Sequence, residues 1–147
     1  MNKNTFKIAI LGCGKVAHLH AQAIQNLPNA DLAGVWSRTP ESAKKFATQY
    51  QTSFFTDISE MVKKAGIHLA IVCTPHPFHR EPTIEAAKSG ANVLVEKPLA
   101  STLEDCDTMI SACKQSGVKL GVISQRRCYA PVMRVKHAID DGKIGKP

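Results

Sequence analysis

Five short segments of this 147-residue sequence carry groups able to do chemistry. Gly12-Cys13-Gly14-Lys15-Val16-Ala17 is a G-x-G-x-x-A run between a continuous apolar stretch and a helical pattern. Gly12 permits a tight strand-to-helix turn. Gly14 lets backbone approach a diphosphate, and Ala17 keeps the helix close to the sheet. A helix opening there offers N–H groups and a positive dipole end to phosphate. Ser37-Arg38 follows the next apolar stretch, where a dinucleotide ribose is read. An Asp or Glu there would repel a 2′-phosphate, whereas Ser and Arg hydrogen-bond it. No acid appears before Glu41. The expected cofactor is NADP in preference to NAD, although an arginine can also stack on adenine without selecting the phosphate.

Three more segments join them. Cys73-Thr74-Pro75-His76-Pro77-Phe78-His79 follows another buried run, Glu96-Lys97-Pro98 the next, and Gln125-Arg126-Arg127 the last. Thr74, Pro75, His76, His79, Glu96, Lys97, Gln125 and Arg126 are therefore candidate cofactor contacts. Lys97, just after a buried strand, reads as a functional ammonium rather than a surface lysine. His76 and His79 straddle a proline-rich turn with no Cys, Asp or Glu completing a set, so no metal site is expected. No serine stands in a G-x-S-x-G elbow.

The elements that hold these segments alternate. Apolar runs at 6–11, 32–36, 53–55, 69–72, 92–95 and 120–123 read as strands, and helical patterns fall at 15–27, 40–50, 58–65, 78–89, 102–116 and 131–141. Pro40 behind Thr39, and Asp57 and Thr102 before apolar runs, are start signals; Gly66, Gly90, Gly117 and Gly142 are stops. The apolar positions Val16, Leu19, Ala23 and Leu27 in the first helix, and Leu103, Cys106, Ile110 and Cys113 in the long one, are the predicted buried stripes. Short connections between buried strands imply parallel pairing with right-handed crossovers. The predicted fold is α/β, a doubly wound parallel six-stranded sheet of order 3-2-1-4-5-6. All five chemical segments then stand on one edge, beyond the carboxyl ends of the strands. An eight-fold barrel would need about 250 residues.

Composition narrows the classes. With 44% hydrophobic and 21% charged residues the chain reads as globular. Its apolar runs are too short to span a membrane, and the N-terminus lacks the apolar stretch of a signal peptide, so the cytoplasm is expected. Five cysteines without a C-x-x-C pair read as reduced packing residues. The net charge of +7 raises nucleic acid as a partner. The basic residues are scattered and few aromatics interleave with them, so a phosphate-bearing small ligand, or a missing acidic partner segment, explains the charge as well as DNA does, and no nucleic-acid partner is expected.

These residues together resemble the N-terminal domain of the Gfo/Idh/MocA oxidoreductases, the glucose–fructose oxidoreductase and inositol dehydrogenase relatives. The likeness rests on Ile10-Leu11-Gly12-Cys13-Gly14 with His20 downstream, Thr74-Pro75 with His79, the run from Ala86 to Ala100 through Glu96-Lys97-Pro98, Gln125-Arg126-Arg127, and the closing Gly142-Lys143-Ile144-Gly145-Lys146-Pro147. His76 departs from the asparagine of many members. The resemblance implies hydride transfer between a nicotinamide and a sugar, polyol or related hydroxy compound. It implies that Lys97 contacts the cofactor ribose or substrate as the catalytic residue, and that a C-terminal domain supplies most of the substrate pocket. On that reading residues 1–125 are the dinucleotide-binding domain and 126–147 the terminal helix and hinge. The chain alone is then catalytically incomplete. The alternative is a stand-alone module that senses NAD(P) without chemistry. A sharp turn at Lys97-Pro98, which relatives share, predicts a cis peptide. Apolar Val132, Val135, Ala138 and Ile139 on the last helix predict a homodimer.

Overall fold

The computed structural model describes residues 5–146; positions 1–4 of the N-terminal reading and Pro147 of the closing motif lie outside the described residues. Strands β1 (Phe6–Leu11), β2 (Ala30–Trp36), β3 (Phe54–Phe55), β4 (Leu69–Val72), β5 (Asn92–Val95) and β6 (Leu120–Val122) form one sheet of order β3-β2-β1-β4-β5-β6. Every pairing is parallel. Helices α1 (Lys15–Gln25), α2 (Pro40–Tyr50), α3 (Ile58–Ala65), α4 (Arg80–Lys88), α5 (Leu103–Gln115) and α6 (Ala130–Asp140) connect or follow the strands. This is the predicted doubly wound fold, and the Lys97–Pro98 peptide is cis as predicted.

The core divides by the two-residue period of a strand. Ile8 and Ile10 of β1 pack with Ala17, Ala21 and Ile24 of α1 and with Phe46, Ala47 and Tyr50 of α2. Ala9 and Leu11 face the other way, to Met61 and Val62 of α3, Ala86 and Ala87 of α4, and Met109 and Cys113 of α5. Both faces of the central strands are thus covered, and their near-continuous apolar sequence follows from that.

Helix starts conform in part. Asp57 accepts from the Glu60 N–H (2.6 Å) and Thr102 from the Asp105 N–H (3.1 Å), both as capping side chains. Thr39 occupies the cap position of α2 but makes no side-chain cap bond. The predicted helix at 78–89 begins later, at Arg80, because His76–Phe78 closes a separate 3-10 turn.

Two buried stripes need correcting. In α1 the buried residues are Ala17, Ala21 and Ile24, while Val16, Leu19 and Leu27 are exposed. In α5 they are Met109, Ala112 and Cys113, and Leu103 and Ile110 are exposed. The docked faces run along Ala17, Ala21 and Ile24 and along Met109, Ala112 and Cys113, offset from the predicted stripes, and the apolar residues off those faces lie at the rim. Helix α6 has no buried residue.

Candidate functional site

The strand ends converge around Gly12. Its N–H donates to the Trp36 carbonyl at 2.7 Å, and the Cys73 N–H donates to the Leu11 carbonyl at 2.7 Å, so three strands meet there. Gly12 has φ +103°, and a Cβ on it would stand 2.7 Å from the Thr74 nitrogen and 2.8 Å from the Cys73 carbonyl carbon. Only glycine fits that approach. At Gly14 a Cβ would meet nothing within 4 Å. It would project into open space at the mouth of a cavity of about 580 Å³. Gly14 holds the cap position of α1, no side chain caps that helix, and its first turn carries no acid. The Ala17 N–H donates to the Gly14 carbonyl at 3.1 Å; the N–H groups of Lys15 and Val16 lie ahead of it at the helix start, where an external acceptor can meet them. This bare, electropositive cradle fits a dinucleotide diphosphate.

The cavity collects most of the predicted site. Gly12, Cys13, Gly14, Lys15, Val16, Ser37, Arg38, Thr74, Pro75, His76, Glu96 and Lys97 line it, joined by Ser42 and by Thr39, Cys73 and Pro77, which the sequence did not single out as cofactor contacts. Ala17 is buried behind the turn, against the sheet. His79 does not line the cavity. It is fully buried, with Nε2 2.8 Å from the Thr74 carbonyl and Nδ1 3.0 and 3.2 Å from the carbonyls of Pro98 and Leu99. Its ring therefore clasps the loop after β4 to the loop after β5, holding both walls. Gln125 and Arg126 line a separate cavity with Lys97, Ser124 and Arg127.

Long-range contacts tune the walls. The Arg38 guanidinium lies 3.9 Å from the centroid of the Phe78 ring, a cation–π contact. Thr74 Oγ1 donates to the Phe78 carbonyl at 2.8 Å and fixes the 3-10 turn that presents that ring. Opposite, His20 Nε2 and Glu96 Oε1 lie 2.9 Å apart, and the Lys97 N–H donates to Glu96 Oε2 at 3.1 Å. Helix α1 is thereby tied to the backbone of Lys97. The Lys97 ammonium makes no ion pair among the described residues.

The cleft thiols are inert. Burial pushes Cys13 up to about 11. Burial, with Glu96 and Cys13 adding, pushes Cys73 up to about 12. Both stay protonated near neutral pH, and Cys13 donates weakly to the Trp36 carbonyl at 3.8 Å. Among the described residues no group of three His, Cys, Asp or Glu stands together as a metal site would require. No helix among them is long and apolar enough to cross a membrane.

Residues 6–124 match the family model described as an oxidoreductase family with an NAD-binding Rossmann fold. The chain belongs to the Gfo/Idh/MocA oxidoreductase family. Among Gfo/Idh/MocA relatives, it is 31% identical over 142 residues to 2,7-anhydro-N-acetylneuraminate hydratase of Mediterraneibacter gnavus, covering 97% of this chain and 37% of that protein. It is 32% identical over 143 residues to scyllo-inositol 2-dehydrogenase (NAD(+)) of Bacillus subtilis, covering 96% and 42%. The crystal structure of the WlbA dehydrogenase from Bordetella pertussis, in complex with NADH and UDP-GlcNAcA, superposes with a TM-score of 0.89 at 30% identity, over 97% of this chain and 41% of that one. The chain thus spans about two fifths of the length of these Gfo/Idh/MocA proteins.

Proposed function

We propose that this chain is the cofactor-binding part of an oxidoreductase that moves a hydride between a nicotinamide and a sugar, polyol or related hydroxy compound, with NADP(H) preferred over NAD(H). One observation carries the reading: the glycine turn, Ser37 with Arg38, and Glu96 with Lys97 open onto a single cavity. The bound nicotinamide supplies or accepts the hydride. The first turn of α1 and the bare backbone at Gly12 and Gly14 hold the diphosphate. Ser37 and Arg38 hold the 2′-phosphate, with Phe78 pre-placing the guanidinium. Lys97 orients the reacting hydroxyl or carbonyl oxygen. Glu96, held by His20, fixes the backbone from which that ammonium extends.

The names of the relatives support the substrate class and divide it. One acts on a neutral cyclitol and another on an acidic sugar. In this proposal residues 1–125 form the dinucleotide-binding domain and 126–147 lead toward a substrate domain, so the 147-residue chain binds cofactor without turnover. A second copy is the proposed partner of the isolated chain, through exposed Val132, Met133 and Val135. A monomer by light scattering at high concentration overturns that assignment. Five free cysteines support a reducing compartment, the cytoplasm.

Calorimetric titration with NADPH and NADH tests the cofactor reading. NADPH is expected to bind tighter, and Arg38→Asp to invert the order. A lost charge-assisted hydrogen bond shifts the ratio by roughly ten- to a hundredfold. Equal affinities before and after the change refute the preference. Failure of both nucleotides to bind refutes the domain's function.

A further inference from the structure

The second cavity, of about 460 Å³, is lined by Lys97, Ser124, Gln125, Arg126 and Arg127. It shares only Lys97 with the dinucleotide cleft. Three of its five lining residues are cationic and none is acidic. The acids that follow or adjoin these residues in the sequence, Glu96 beside Lys97 and Asp140 and Asp141 after Arg127, are otherwise engaged. Glu96 is held by His20 and by the Lys97 N–H. Asp140 pairs with Lys136, and Asp141 with Lys143 at 2.8 Å. Arg126 and Arg127 make no ion pair among the described residues. Positive charge is therefore concentrated here without internal compensation.

Sheet geometry says which ligand meets it. Parallel strands lie about 4.8 Å apart, so the path from the Arg38 end of β2 across β1 and β4 to Lys97 on β5 is roughly 14 Å. The end of β6 adds about 5 Å beyond Lys97. The glycine turn and Arg38 face the first cavity alone, so the phosphates of the dinucleotide have their cradle there. What occupies the second cavity lies past Lys97, on the side where the reacting molecule must approach.

We infer that the second cavity is a substrate subsite for an anionic sugar, with Arg126 and Arg127 binding a carboxylate or phosphate on the hydroxy compound whose reacting oxygen Lys97 orients. This rests on the proposed function and narrows its substrate from sugars and polyols in general to acidic ones. Two adjacent guanidinium forks match the geometry of carboxylate or phosphate oxygens, and Ser124 and Gln125 add neutral hydrogen-bonding groups for sugar hydroxyls.

Ligand-observed NMR at low salt, with the chain alone and with added NADPH, tests the assignment. The probes are D-glucuronate, D-glucose 6-phosphate and D-glucose. At least one anionic probe is expected to bind about tenfold or more tightly than glucose, the loss expected for one charge-assisted hydrogen bond. The stronger anion shows whether carboxylate or phosphate is preferred. R126Q/R127Q is expected to bring all three probes within about twofold of one another, whereas K44Q/K45Q, which removes the same charge from α2, keeps the discrimination. Added salt is expected to shrink it in the unchanged chain, a readout independent of any variant. Equal binding of all probes, no binding of either anion, discrimination surviving in R126Q/R127Q, or equal loss in K44Q/K45Q each overturns the subsite. The NADPH titration is read separately. Its failure would sink the cofactor reading, while the comparison of probes on the chain alone still decides the anion site.

Discussion

The two sides of this sheet make their sites by different means. Around β1, β2 and β4 the site is backbone: Gly12 is wedged against Cys73 and Thr74, and Ile10, Leu11, Val35 and Val72 of the strands beneath it are buried. At β6 the strand is three residues long, the turn after it is exposed, and α6 buries nothing. The first region recognises its ligand through main-chain donors and space that few side chains can alter. The second does so through exposed, replaceable cations. On the proposed function, a fold built this way keeps one cofactor while its substrate changes, because the exposed part at β6 and α6 carries no load in the core.

That contrast can be broken in steps. The largest effect is expected from Gly12→Ala. Positive φ and a backbone collision together cost about 2–6 kcal/mol, and dinucleotide binding should vanish with the turn. A melt and an NADPH titration indistinguishable from the parent would show that the turn tolerates a side chain. Next comes a matched pair of truncations. Met109→Ala in the core should cost about 2–5 kcal/mol, and Val135→Ala on α6 no more than about 0.5 kcal/mol, by urea unfolding at concentrations low enough to keep the chain monomeric. Similar costs would mean that α6 contributes to the fold after all. A smaller effect should come from alkali. Cys13 and Cys73 keep their protons in the folded chain well above their ordinary value of 9.0. The unfolded chain therefore loses those protons first. The stability they contribute is intact below about pH 9 and falls as pH rises toward 12, which urea midpoints across that range would register. Cys13→Ala combined with Cys73→Ala should flatten the fall, and an unchanged slope would assign it to other groups.

Much of this arrangement was legible in the sequence, for physical reasons that differ by element. Runs such as Phe6–Leu11 announce strands because both faces of Ile8–Leu11 are covered, and Gly12 announces a turn because no other residue survives there. The stripes of α1 and α5 misled because more than one set of apolar positions falls at helical spacing and the sheet decides which set docks: Ala17 and Ala21 of α1 and Met109 of α5 are buried, and Leu19 and Ile110 are not. His79 read as a ligand contact because its position in the loop after β4 says nothing of the carbonyls its ring finds near Pro98. Phe78 beneath Arg38, and His20 beside Glu96, join residues distant along the chain, and no local pattern encodes such pairs.

The uncapped start of α1 has a consequence for the life of the protein. A helix whose first donors await a bound phosphate is completed only when the nucleotide arrives, so folding and occupancy are thermodynamically linked. Ligand at a hundredfold excess over its dissociation constant adds about 2.7 kcal/mol to the folded state. The melting temperature therefore follows the nucleotide concentration, and resistance to proteolysis rises and falls with the coenzyme pool of the cell.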